Sequence, residues 1–170
     1  MTTANIIKKF GNPATEKNIT TINLPYEMRL AWDLNTKVNK LRVHNLGAPS
    51  LIKAFNEILA FYGIDQIKSL GIDLFGGSYN PRPMRGTEER YNALIAAGRV
   101  EEAAKFLSLH SWGLAIDLDP QRNQLKETSK TARFARPEYA EMIKIFERNG
   151  WYSLGKYKNY DWMHFQFIKP

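Results

Sequence analysis

The sequence predicts an α+β fold: one compact domain spanning residues 1–170, with a small antiparallel sheet flanked by helices. Three observations carry that prediction. Helical periodicity dominates early while strand-like alternation clusters later, the order of an α+β chain rather than a repeating βαβ one. No internal repeat, low-complexity segment or composition break divides the 170 residues. The hydrophobic fraction of 44% and charged fraction of 24% are those of an ordinary globular domain. A domain of this length buries roughly two-thirds of its unfolded surface, so its core needs no covalent staple. None is possible through sulfur, because the chain has no cysteine. Disulfides, thiolate metal sites and Cys nucleophiles are excluded together.

Residues 1–45 read as an N-terminal arm with short elements. Turn signals stand at Gly11-Asn12-Pro13 and Leu24-Pro25, and Tyr26, Met28, Leu30 and Trp32 alternate as in a half-buried strand. The first clear helix runs from Ser50, a candidate cap, to Tyr62 before Gly63. Its apolar stripe is Leu51, Ile52, Phe55, Ile58, Leu59 and Tyr62. Leu70–Phe75 reads as a strand ahead of Gly76-Gly77. Residues 87–107 read as a helical insertion, with Glu88 and Glu89 in its first turn and a break near Gly98. Trp112–Leu118 alternates as a strand, with Gly113, Ala115 and Asp117 sharing one face. A helix follows from Pro137 to Asn149, burying Tyr139, Met142, Ile143 and Phe146. The last strand is Trp162–Ile168, in which His164 shares a face with Gln166, a pairing that a purely hydrophobic core position does not need.

The net charge is +7. Residues 1–85 carry 11 basic and 6 acidic side chains, and the rest carry 13 and 11, so no basic stripe forms. That argues against a specific nucleic-acid partner and is matched equally by adsorption to an anionic cell surface. Nothing in Met1–Phe10 reads as a signal peptide, and no apolar run approaches the roughly 20 residues of a membrane span. The expectation is a monomeric protein made in the cytoplasm, with no transmembrane segment.

Three histidines are present. His110 precedes the strand that carries Asp117, and His164 lies within the last strand. Two imidazoles and a carboxylate supply two neutral nitrogens and one hard anion, a common zinc set with a fourth position left for water. Asp161, three residues before His164, is placed to act as a base. Arg82 and Arg85, in the stiff loop Gly76–Gly86, could hold a developing oxyanion or a substrate carboxylate. Each has a plainer reading. A strand histidine can be simply hydrogen-bonded, Asp117 and Asp119 can open a turn, and Arg82 can be a surface residue. His44 reads as structural or exposed, and the aromatics Trp151, Tyr152, Tyr157 and Tyr160 as core and rim.

The segment Ser108–Asp119 (SLHSWGLAIDLD) together with Asp161–Gln166 (DWMHFQ) resembles the zinc D-alanyl-D-alanine carboxypeptidase family. That family includes phage-endolysin L-alanyl-D-glutamate endopeptidases and vancomycin-resistance D,D-peptidases. Its pattern, S-x-H-x-x-G-x-A-x-D followed by D/E-x-x-H-F/W, is filled by Ser108, His110, Gly113, Ala115 and Asp117, then Asp161, His164 and Phe165. The resemblance implies a Zn2+ site on the sheet held by His110, Asp117 and His164. It also implies Asp161 as general base and an arginine, Arg82 first and Arg85 second, on the carbonyl oxygen.

The substrate so implied is the peptidoglycan stem peptide, cut by a phage-type L-alanyl-D-glutamate endopeptidase that reaches the wall once the membrane is permeabilised. D,D-carboxypeptidase activity is the alternative on the same site. A non-catalytic virion or peptidoglycan-binding protein is the alternative from another class, and a nucleic-acid binder ranks third. Residues 87–107 are longer than the family connection leads one to expect and read as a lid or substrate wall.

Overall fold

The computed structural model describes residues 1–170. Helix α1 (Thr3–Phe10) opens the chain, capped by Thr2 and stopped at Gly11, whose φ is 83°. A hairpin of two 12-residue strands follows, β1 (Ile19–Leu30) and β2 (Asp33–His44). The expected arm with short elements is therefore a helix and a long hairpin. Most of β2 faces solvent at the sheet edge, where Lys37 and Lys40 blunt further pairing, and only Leu41, Val43 and His44 are buried. Such a strand has little hydrophobic alternation to announce it. Pro25, read as a turn signal, falls instead in the bulge of β1 between Asn23 and Met28, where its missing N–H costs no ladder bond.

Helix α2 (Ala48–Leu70) stops being helical at Gly63 (φ 74°, ψ 162°), the glycine expected to end it. A second helical stretch then continues to Leu70, and Gly71 closes it in the left-handed conformation (φ 72°). The strand expected from Leu70 accordingly begins later, as β3 (Leu74–Gly77). Helices α3 (Glu88–Ala96) and α4 (Val100–Ala104) occupy the predicted insertion, and α3 buries no residue. Strand β4 (Ala115–Leu118) comes next, then α5 (Ala140–Arg148) entered through a 3-10 turn at Pro137–Tyr139. The chain finishes with β5 (Tyr152–Ser153), α6 (Leu154–Lys158) and β6 (His164–Gln166).

The α+β class is as predicted, but the sheet is larger and mixed. Its order is β2-β1-β3-β4-β6-β5, and only β1 with β3 runs parallel. That pair is joined through the hairpin and α2 rather than by a tight turn, which is the kind of connection a parallel pair requires. Asp73, fully buried, locks the junction by accepting two hydrogen bonds from the Arg29 guanidinium, at 2.6 and 2.9 Å.

The main core packs α2 and α5 on the sheet through residues such as Phe55, Phe146, Trp151 and Phe165. Fully burying each such aromatic is worth about 1.5–3 kcal/mol or more relative to exposure. A smaller cluster joins α1 to the segment before β4 through Ile6, Phe10, Trp112 and Leu114. His44, one of the two fates predicted for it, is structural: buried, it bonds the Phe10 carbonyl through Nε2 at 2.9 Å. No helix is long and apolar enough to cross a membrane.

Candidate metal centre

The centre of the sheet brings three sequence-predicted residues together. Asp117 on β4 and His164 on β6 are directly paired in the antiparallel ladder, so their side chains leave the same face. His110 arrives from the 3-10 turn Leu109–Trp112. Ser108 caps that turn, its hydroxyl accepting the His110 N–H at 3.3 Å. Gly113 ends the turn with φ 69°, and a Cβ there would lie 2.7 Å from the His44 nitrogen. Both the backbone angle and the close approach require glycine. Ala115, fully buried, pairs with Gln166 one step along the ladder.

Asp117 bridges the two imidazoles. Its Oδ2 lies 3.2 Å from His110 Nε2 and its Oδ1 lies 3.2 Å from His164 Nδ1. The donor atoms of the three residues all fall within 4.8 Å of one another. His110 Nδ1 stands 2.6 Å from the Ser78 carbonyl, which can only accept, so that nitrogen carries the proton. In a neutral ring, Nε2 then aims a lone pair at a carboxylate oxygen. Two such acceptors face each other stably only with a cation between them, a proton or a metal.

The charges agree. Burial disfavours the His110 cation, yet the Asp117 carboxylate outweighs it and raises the His110 pKa. Burial also opposes the Asp117 charge, but His110 and His164 hold its carboxyl far below the usual range. Two neutral nitrogens and one carboxylate on a rigid ladder fit zinc, which these residues could hold in place of the shared protons.

Asp161 lies beside this group. It adopts a left-handed φ of 54°, its N–H donating to the Leu125 carbonyl and its backbone carbonyl accepting the His164 N–H at 3.1 Å. Burial raises its pKa, His164 lowers it and the nearby Asp117 raises it again. The loop bearing the arginines is stitched to the turn of His110. The Asn80 N–H donates to the His110 carbonyl, and the Ser111 hydroxyl bonds both the N–H and the carbonyl of Arg82. The Arg82 guanidinium is exposed, and its charge reaches His110. Arg85 is also exposed and lies beyond the bridge between Pro83 and Leu107. Ser78 and Ser111 escaped the sequence reading: Ser78 acts through its backbone carbonyl, which no side-chain pattern reveals.

Residues 101–167 match the family model of the D-alanyl-D-alanine carboxypeptidases. The match supports the family to which the two motifs point, and with it a metallopeptidase. It takes in His110, Asp117, Asp161 and His164, and leaves Arg82 and Arg85 outside. Peptidases of this family are zinc-dependent, which agrees with the donor set. No curated protein matches the chain.

Proposed function

We propose that the protein is a zinc-dependent peptidoglycan peptidase that hydrolyses the stem peptide, as an L-alanyl-D-glutamate endopeptidase of the phage-endolysin type. The observation that carries the reading is Asp117 standing 3.2 Å from both His110 Nε2 and His164 Nδ1, with one donor atom from each of the three residues within 4.8 Å of the others. His110, Asp117 and His164 are the ligands in this reading. Zinc held there supplies Lewis acidity, acidifying water and polarising a carbonyl.

The chain's own residues do the rest. Asp161 accepts a proton from the water that attacks the scissile carbonyl carbon. When the C–N bond breaks, Asp161 returns that proton to the leaving amine, so one carboxylate serves as base and then acid. Arg82, anchored through its backbone on Ser111, brings positive charge to the carbonyl oxygen. In this reading the protein works as a monomer, is made inside the cell and meets the wall once the membrane is breached. Its net +7 favours adsorption to anionic wall polymers, an attraction that salt weakens.

A second reading, trimming of terminal D-Ala by a D,D-carboxypeptidase, is favoured by the description of the matching family itself. Digestion of purified peptidoglycan, with fragments identified by mass spectrometry, separates the two. New D-Glu amino termini, lost with a chelator and restored by zinc, support the endopeptidase. Free D-Ala supports the carboxypeptidase, and an intact wall after treatment with folded, zinc-loaded protein overturns both.

A further inference from the structure

We propose that Gln166 is a positioning residue of the metal centre, selecting which nitrogen of His164 faces Asp117. The inference rests on the ligand set proposed above. Gln166 and His164 sit two residues apart on β6, so both side chains leave the same face of the sheet. Gln166 is 9% exposed and both ends of its amide are engaged. One end lies 2.7 Å from the Ile168 carbonyl. A carbonyl only accepts, so that end is the NH2 group and the oxygen is turned the other way. Oε1 then sits 3.2 Å from His164 Nε2. An amide oxygen also only accepts, so this contact places the ring proton on Nε2. The lone pair is left on Nδ1, 3.2 Å from Asp117 Oδ1, which makes Nδ1 the nitrogen that would hold a metal together with Asp117.

His110 is arranged in the opposite sense. Its Nδ1 proton goes to the Ser78 carbonyl and its Nε2 faces Asp117. The two rings thus present different nitrogens, one directed by a backbone carbonyl and one by a side-chain amide. Only the second can be removed by substitution, which makes Gln166 the testable half of the pair. Outer partners of this kind orient a ligand ring and raise its basicity.

Zinc affinity, measured by competition with a chromophoric chelator at fixed pH and salt, tests the role without any peptidase assay. Gln166→Leu, of similar size but with no acceptor, is expected to bind zinc about 10–100-fold more weakly. Gln166→Glu, whose carboxyl group in its neutral form makes both bonds, is expected to stay within roughly fivefold of wild type. In zinc-loaded wild type, nitrogen-edited NMR should show the His164 proton on Nε2 and in slow exchange. Equal zinc affinity of wild type and Gln166→Leu overturns the proposal. So does a wild-type spectrum with the proton on Nδ1, which decides the matter even if the leucine variant fails to fold. Wild type that leaves peptidoglycan intact, while Gln166→Leu weakens zinc binding, refutes the peptidase reading and leaves this inference standing. Wild type that takes up no zinc refutes both.

Discussion

Asp117 stands directly opposite His164 in the ladder of β4 and β6, and its second oxygen reaches His110 at the same 3.2 Å. A strand alternates faces with a period of two, so a one-residue slip of either strand would separate the pair. The bridge is also where the charge balance sits, because Asp117 is the one anion between the two rings. Asp117→Asn keeps the shape but turns an N–H2 toward one ring and removes the charge. We expect it to fold and to bind zinc at least about 100-fold more weakly, read by equilibrium dialysis with metal analysis. Stoichiometric zinc in the variant would refute the ligand assignment.

Asp161 should separate binding from turnover. Its φ of 54° makes Asn the least disturbing replacement, since Asn tolerates the left-handed region better than Ala. Asp161→Asn is expected to retain zinc and lose at least about 100-fold in hydrolysis rate, the usual range for a general base. Hydrolysis at the wild-type rate would remove Asp161 from the mechanism.

Gly113 tests how far the motif serves folding rather than chemistry. An added methyl would meet the His44 nitrogen at 2.7 Å and the Val43 carbonyl carbon at 3.0 Å, on backbone that disfavours any side chain. Gly113→Ala should cost about 2–4 kcal/mol and lower the melting temperature by roughly 5–15 °C. Gly98→Ala, with a similar φ of 72° but nothing within 4 Å of the new methyl, should cost only about 1 kcal/mol. Equal losses in the two would show that the His44 contact adds nothing.

That comparison bears on what the sequence revealed. Ser108, Gly113 and Ala115 are, in the fold, a cap, a left-handed close approach and a buried ladder partner of Gln166. Each supports His110 or Asp117, so a short pattern announced the core of the site with its scaffold. The α2 stripe and α5 were legible because half-buried helices repeat their apolar residues on one face. Strand β2 was not, because an exposed edge carries no such pattern. The Ser78 carbonyl was hidden for a different reason: a backbone acceptor 32 residues away from His110 leaves no mark on side-chain composition. The parallel pairing of β1 and β3 depends on the path of α2, which local periodicity does not encode.

Glu147 gives a pH signature away from the site. Its carboxylate accepts from Lys156 Nζ and from the Tyr157 hydroxyl, each at 2.5 Å, and these bonds lower its pKa. A carboxyl depressed in the folded state adds stability above its unfolded pKa and loses it as pH falls through the folded one. The Glu147 side chain is 27% exposed, so solvent screening holds the effect to about 0.5–1 kcal/mol at neutral pH. Chemical denaturation should therefore find Glu147→Gln weaker than wild type at pH 7, with the gap closing in acid below the carboxylate range. The same bond pushes Tyr157 up to about 12 from 10.0. That contribution is present below the unfolded value and fades as pH rises between the two. A gap that stays constant from acid to neutral pH would mean that Glu147 is not titrating against these partners.

The arginine loop offers the sharpest division of labour. Arg82 is pinned to the turn of His110 through Ser111, whereas Arg85 follows the Pro83–Leu107 bridge and is held by no comparable contact. A cation that stabilises charge only as the carbonyl is attacked should affect kcat and leave zinc affinity alone. Arg82→Ala is expected to lower kcat about 100-fold with zinc affinity unchanged, and Arg85→Ala to stay within about threefold of wild type. Arg82→Lys should recover little, because a point charge on a flexible stem does not reproduce the planar fork of a guanidinium. The reverse pattern, a silent Arg82 and a critical Arg85, would transfer the role across the bridge.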